Sequence, residues 1–362
     1  MKGQSSYSAR PNVMVIGPST PDFDSGYNKS IARAFGEAGF NAHLFEFAVT
    51  TPPGIWNRFR IDLAKALGDM SGILAYRRHF NNEVLNAYRT IRPELVFVIR
   101  GSKLEATTLA TMEAATKVLW CHDLVRRSDL SPAQLASYDR IYVFEAQDVA
   151  EVKDAYGLQC SFLPLAADPD VYSPQVSAKK TNKDIDVFFV GAHYPRRTAI
   201  LERLSCDFAR RTLRFYGRYL RYREPATYRR FAGYAVDGRS RVFRNRSLQP
   251  AEINAMYNRS AIAVNIHHEQ SHAGCNARVF EIMSSGAFQL VDRLAYIEKE
   301  FGDQVATYAS YEELRDCIEQ YLSTDESREE KAAQACAYVH SRHTWRHRIG
   351  QVLADCADEL RV

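Results

Sequence analysis

The residues best suited to chemistry in this 362-residue chain fall in one short stretch, Asn276-Ala277-Arg278-Val279-Phe280-Glu281, followed by Ser285-Gly286 and an apolar run ending at Asp292. The spacing predicts a short helix with Arg278 and Glu281 one turn apart, closed by Gly286 before a strand, as at the carboxyl edge of a parallel α/β sheet. At such an edge a guanidinium forks onto a pyrophosphate, and a helix N-terminus offers N–H groups and the positive end of its dipole. A carboxylate one turn on accepts both hydroxyls of a ribose. The same residues allow a plainer reading, in which Glu281 pairs with Arg278 on one helix face and Asn276 is an N-cap.

Other positions share this chemistry. Gly191-Ala192-His193-Tyr194 follows an apolar run, and a glycine there lets backbone approach a ligand. Arg196 and Arg197 then open a helix, where cations oppose the dipole unless an anion is near; the alternative is two solvated arginines. Asn265-Ile266-His267-His268 leaves a buried strand for a polar loop running to His272, so His267 or His268 would meet a phosphate or sugar. The HHxxxH spacing suits neither a helical His pair nor a tetrahedral zinc site, and no metal is expected. Gly17 and Ser25 belong to the corresponding loop of the first half, which lacks the GxGxxG and P-loop patterns. His122 and Asp123, just past a strand ending in Trp120, are acid/base candidates, with a satisfied loop histidine and a helix cap as the alternatives.

The elements that position these residues alternate along the chain. Apolar runs at 13–16, 42–47, 95–99, 118–120, 141–144 and 162–163 are separated by helical patterns over 29–38, 58–68, 73–90, 104–115 and 146–156. A second series of runs follows at 186–190, 213–216, 261–266, 288–291 and 306–308. Helical patterns over 311–322, 326–341 and 344–360 close the chain. Near-continuous apolar strands alternating with helices imply parallel, doubly wound sheets. The expected organisation is an N-terminal domain over 1–167, a linker over 168–184 and a C-terminal domain over 185–342 facing the first across a cleft. A helix over 343–362 then packs back on the first domain. With 46% hydrophobic residues the chain is globular, and seven cysteines without a Cys-x-x-Cys pair imply no disulfide framework. No apolar run is long enough to span a bilayer and Met1 to Pro11 is polar, so a cytoplasmic protein is expected.

Phe189-Val190-Gly191, Pro195-Arg196-Arg197, Tyr216-Gly217, Asn265-Ile266-His267-His268, Asn276-x-Arg278-x-Phe280-Glu281 and Gly286 together resemble the C-terminal half of CgeB-like glycosyltransferases, of the GT-B superfamily. The resemblance covers about residues 186–350. The first half matches only at Trp120-x-x-Asp123 and residues 163–168, and Asp123-Leu124 departs from the family's paired acids. The resemblance implies two Rossmann-like domains, with a nucleotide-diphosphate sugar held by the C-terminal one and the acceptor facing the N-terminal one. It implies no metal and no cofactor. It adds Tyr216, Gly217 and Phe280 to the donor-binding residues, beside Gly17, Ser25, Gly191, His193, Arg196, Arg197, His267, His268, Asn276, Arg278 and Glu281.

One stretch exceeds that pattern. Fifteen arginines lie between Arg196 and Arg246 against Glu202, Asp207, Glu224 and Asp237, interleaved with Tyr216, Tyr219, Tyr222, Tyr228 and Tyr234. Arginine and tyrosine together suit a polyanion with stackable bases or an anionic headgroup; the alternative is a solvated basic face. Two further readings follow, a glycosyltransferase acting on nucleic acid bases and a nucleic-acid-binding protein with a decayed donor site.

Overall fold

The computed structural model describes residues 10–19, 27–48, 71–175, 183–217, 225–268, 271 and 273–360. Ser25, the expected helix over 58–68 and most of the polar stretch after Gln175 lie outside them. The chain divides into two compact units. One comprises residues 1–164 with 345–362, and the other residues 165–344.

The first unit is built from β1 (Asn12–Ser19), α1 (Tyr27–Glu37), β2 (Asn41–Ala48), α2 (Ser71–Ile91), β3 (Leu95–Ile99), α3 (Ala106–Ala110), β4 (Thr116–Cys121), α4 (Pro132–Leu135), β5 (Arg140–Val143), α5 (Gln147–Tyr156) and β6 (Ser161–Phe162). The strands form one parallel sheet in the order β2-β1-β3-β4-β5-β6. Its central strands are apolar because both faces are covered: all five residues of β3 are buried. Two boundaries differ from expectation. β1 continues through Gly17-Pro18 to Ser19, paired with Ala48. The helix expected over 104–115 is only α3, since Thr107, Thr108 and Thr111 are β-branched and the Thr111 hydroxyl donates back to the Thr107 carbonyl at 2.9 Å.

The second unit comprises β7 (Ile185–Val190), α6 (Pro195–Asp207), β8 (Leu213–Tyr216), α7 (Pro225–Val236), β9 (Phe243–Arg244), α8 (Pro250–Arg259), β10 (Ser260–Asn265), α9 (Ala277–Ser284), β11 (Gln289–Asp292), α10 (Ala295–Phe301), β12 (Ala306–Tyr308), α11 (Tyr311–Leu322) and α12 (Asp325–Arg342). Its parallel sheet has the order β12-β11-β10-β7-β8-β9. The chain winds outward one way from β7 and then returns to β10 and winds the other way. The carboxyl ends of β7 and β10 therefore flank the point where strand order reverses, the place where open α/β sheets take ligands. One apolar cluster, with Phe215, Ile262 and Leu290, covers one side, and a second, with Phe188, Tyr257 and Ile282, the other.

The remaining helices, α13 (Trp345–Asp355) and α14 (Ala357–Leu360), belong to the first unit. Arg346 pairs with Glu37 of α1 at 2.8 Å, and the Tyr142 hydroxyl donates to Asp355 at 2.7 Å.

Candidate functional site

At the carboxyl edge of the second unit, the turn after β7 lies directly on the end of β8. The Gly191 N–H donates to the Tyr216 carbonyl at 2.9 Å. A Cβ on Gly217 would stand 2.0 Å from the Gly191 oxygen and 2.5 Å from His193 Cδ2, so only glycine permits this approach. Gly191 is less tightly confined. A Cβ there would lie 3.2 Å from the Phe189 ring, 3.5 Å from Arg278 Cζ and 3.6 Å from Arg197 Nη1. Two guanidinium groups from different helices thus meet beside one glycine at the strand-order reversal.

They are held differently. Arg197, in the first turn of α6, is buried; its Nε donates to the Ile266 carbonyl at 2.7 Å and its Nη1 to the Ala192 carbonyl at 3.1 Å. It ties the end of β10 to the turn after β7, which corrects the reading of it as solvated. Burial, and then the charge of Arg278, pull its pKa down to about 10. Arg196 is exposed and lies 3.6 Å from Asp292. Arg278 is the second residue of α9 and half-buried, and Glu281, one turn on, is buried. Gly286, at φ +68°, ends the helix before β11.

Asn276 occupies the N-cap position of α9, but its side chain makes no capping bond. It exchanges amide hydrogen bonds with Asn265, both at 3.0 Å, while its own N–H donates to His267 Nε2 at 3.1 Å. The expected cap is replaced by a link between β10 and α9. His267 is buried, and its Nδ1 faces Asp292 Oδ1 at 2.7 Å, so Nδ1–H donates to the carboxylate while Nε2 accepts from Asn276. With both ring nitrogens engaged, His267 orients the strand ends instead of reaching a ligand. Burial of Asp292 opposes its ionisation, yet the hydrogen bonds from His267, with the charge of Arg196, hold its carboxyl below the usual range. The Tyr308 hydroxyl donates to the Asn265 carbonyl at 3.1 Å, and the Asn265 amide to Gln289 at 3.3 Å. Asp292, Gln289 and Tyr308 had no role in the sequence reading. A polar residue ending an apolar parallel strand is the signal that marks Asp292.

His193 is buried edge-on to Phe189, and burial, then Arg197, push its pKa down to about 3. It is a neutral packing residue under Gly217. His268 lies half-buried, edge-on to Tyr194 at 4.4 Å, and Tyr216 is half-buried against Phe188. Phe280 is fully buried between Phe301 and His343, which leaves it a packing role.

In the first unit the corresponding edge carries Arg100, His122 and Asp123. Arg100 has φ 69°, a left-handed conformation rare for arginine, and its guanidinium pairs with Asp123. Asp123 does not cap a helix, since the 3₁₀ turn of Val125–Arg127 starts from Leu124. His122 is enclosed by Trp120, Tyr27 and Trp345, stacked on the last at 6.4 Å and 17°. Its Nε2 is sealed from solvent, and burial, then Arg100, push its pKa down to about 3, so it is a neutral imidazole and a weak base. In the same unit, Gly17 lets the Asn28 side chain lie against β1, where a Cβ would be 2.3 Å from its oxygen.

Residues 196–354 match the family model described as glycosyl transferase-like, a little under half of the chain but all of α9 and the strand ends around it. No curated protein matches the chain by sequence. Solved structures match nearly all of it. The catalytic domain of starch synthase IV from Arabidopsis thaliana, bound to ADP and acarbose, has a TM-score of 0.69 at 9% identity, covering 98% of this chain and 100% of that one. Anabaena HepE in complex with UDP-glucose gives 0.65 at 11% identity, covering 96% and 100%. Sucrose-phosphate synthase from Thermosynechococcus elongatus gives 0.62 at 13%, covering 96% and 99%. The chain has a GT-B fold, and its residues 196–354 match a glycosyl transferase-like domain.

Several arginines of the arginine-rich stretch are ion-paired. Arg203 pairs with Glu312 and stacks on Tyr311, Arg211 pairs with Asp186, Arg230 with Glu202, and Arg246 with Glu252. Tyr234 is buried, its hydroxyl donating to Glu202 at 2.6 Å. Arg218, Arg221, Arg223, Tyr219 and Tyr222 lie outside the described residues, as do Glu269, Gln270 and His272. Among the described residues no three His, Cys, Asp or Glu side chains cluster as a metal site, and no helix is long and apolar enough to cross a membrane.

Proposed function

We propose that this glycosyltransferase, of the CgeB-like kind, moves a sugar from a nucleotide-diphosphate sugar to an acceptor hydroxyl without a metal ion. The observation that carries this reading is the placement of Arg278 on the first turn of α9, beside Gly191 and Arg197, where the strand order of the second unit reverses. A departing nucleoside diphosphate gains negative charge as the glycosidic bond breaks. A guanidinium and a helix N-terminus fixed there stabilise that charge without a divalent cation. Glu281, one turn along α9, would take the ribose hydroxyls, and HepE in complex with UDP-glucose and starch synthase IV bound to ADP hold ligands of that class. For acceptor deprotonation Asp123 is the more accessible of the two candidates, half-exposed though paired with Arg100, while His122 is neutral and enclosed. The ion pairs of the arginine-rich stretch take up part of its positive charge, which favours the hydroxyl acceptor over a nucleic acid.

The reading is tested by thermal denaturation with UDP-, ADP-, GDP-, dTDP- and CMP-sugars in the presence of EDTA. A donor at 100 times its Kd adds about 2.7 kcal/mol, and one class is expected to raise the melting temperature. A uniform lack of response sinks the donor site; a response abolished by EDTA sinks only its metal independence.

A further inference from the structure

Tyr257 of α8 has no part in the site as described. It is 1% exposed, its ring edge-on to Phe188 at 5.4 Å, in the same apolar cluster as Ile282 of α9. Its hydroxyl is sealed from solvent and finds no hydrogen-bond partner among the described residues. Phenylalanine would pack the same cluster without the penalty of an unbonded buried hydroxyl. The oxygen therefore costs stability, and its surroundings indicate what offsets that cost. Ile282 directly follows Glu281, a buried carboxylate whose charge acts on the phenol. Burial first and then Glu281 push the Tyr257 pKa up, and Arg278 works the other way, so the hydroxyl stays protonated and able to donate.

We propose that Tyr257 is a positioning residue for the nucleotide: with ligand bound, its hydroxyl donates to the Glu281 carboxylate and fixes the rotamer that accepts the ribose hydroxyls. This rests on the reading of Glu281 as the ribose acceptor. A carboxylate accepts several hydrogen bonds at once, so a donation from Tyr257 leaves lone pairs for both the ribose and Glu281's other partners. No proton is transferred.

The test is Tyr257→Phe beside Glu281→Gln, with melting temperatures of the free proteins and calorimetric Kd values for UDP, ADP and their 2′,3′-dideoxy forms. Expected for Tyr257→Phe is a melting temperature raised by about 2–4 °C. Affinity for whichever ribonucleotide binds should fall about tenfold, with little change for its dideoxy form, and Tyr257→Phe with Glu281→Gln together should cost clearly less than the sum of the two single losses. A merely structural tyrosine would shift the melting temperature alone. Unchanged ribonucleotide affinity in Tyr257→Phe overturns the proposal, as does a lowered melting temperature, which would mean that the hydroxyl is already bonded in the free protein. If Glu281→Gln also binds like wild type, the ribose reading has failed as well; if Glu281→Gln alone is weakened, that reading stands without Tyr257.

Discussion

Arg197 and Arg278 converge on one small volume: a Cβ at Gly191 would lie 3.6 Å from Nη1 of the first and 3.5 Å from Cζ of the second. Like charges so close are unfavourable, and the charge of Arg278 adds to burial, the larger cause, in pulling the Arg197 pKa down. The arrangement is stable because Arg197 spends its N–H groups on the carbonyls of Ile266 and Ala192. The two guanidiniums therefore differ, one fixing the strand ends and the other, in the proposed reading, facing the donor diphosphate.

That division predicts opposite phenotypes. Arg278→Ala should weaken nucleoside diphosphate binding by about 10- to 100-fold, the loss of one charge-assisted bond of roughly 1.5–3 kcal/mol, with a nearly unchanged melting temperature. Arg197→Ala should lower stability by roughly 2–4 kcal/mol, because two carbonyls lose their donor. Calorimetric titration and thermal denaturation separate the two. Wild-type affinity in Arg278→Ala would remove the pyrophosphate role.

Gly217→Ala should be severely damaging. The new methyl would stand 2.0 Å from the Gly191 oxygen, a backbone atom that moves only with the turn carrying His193 and Arg197. A loss of more than about 3 kcal/mol is expected, at the upper end of overpacking costs. Gly233→Ala in α7 is the control, since nothing lies within 4 Å of its added Cβ; there the better helix former should gain about 0.5–1 kcal/mol. A well-folded Gly217→Ala would contradict the close approach.

The strands were legible because parallel strands covered on both faces must be apolar throughout, and β3 and β7 read as such from their own residues. Gly286 was legible for a similarly local reason, the left-handed turn that ends α9. What local rules missed is what the crossing strand order brings together. Asp292 lies 25 residues from His267 along the chain and on the neighbouring strand, so nothing near His267 announces its partner. Asn276 obeys the local rule for position, yet its amide is drawn across the edge to Asn265. The arginine excess looked larger than it is because Glu312, Asp186, Asp292 and Glu252 lie outside that stretch and pair with it in the fold.

The His267–Asp292 pair predicts a pH dependence. Because the Asp292 carboxyl is held below its ordinary value in the fold, it adds stability that is fully present above the unfolded value, near 4. That stability is lost as pH falls through the folded value. Melting temperature measured from pH 7 down to pH 2 should show this acid loss, and Asp292→Asn should lack that share of it. At pH 7 the same substitution should cost roughly 2–4 kcal/mol, since it disturbs the bonds to the His267 ring and backbone. Identical acid profiles in the two proteins would contradict the assignment.

Asp148 of α5 predicts the opposite sign. It is fully buried, and its Oδ2 accepts the Val125 N–H at 3.0 Å, anchoring the turn that follows Asp123. Burial first, opposed by that hydrogen bond, and then the charges of Glu151 and Glu145 against Arg126 leave its pKa pushed up to about 6. Between about 4, the ordinary carboxyl value, and about 6 the folded chain holds a proton that the unfolded chain has released. This contribution to stability therefore falls as pH rises through that window and levels off above it, by at most about 1.4 kcal/mol per pH unit. Asp148→Asn keeps an acceptor oxygen for Val125 and removes the charge. It should be more stable than wild type by about 1–3 kcal/mol at pH 8 and lack this slope between pH 4 and 6. Thermal denaturation at pH 4.5, 6 and 8 decides the matter, and a variant less stable than wild type at pH 8 would show that the ionised carboxylate is needed to hold the turn.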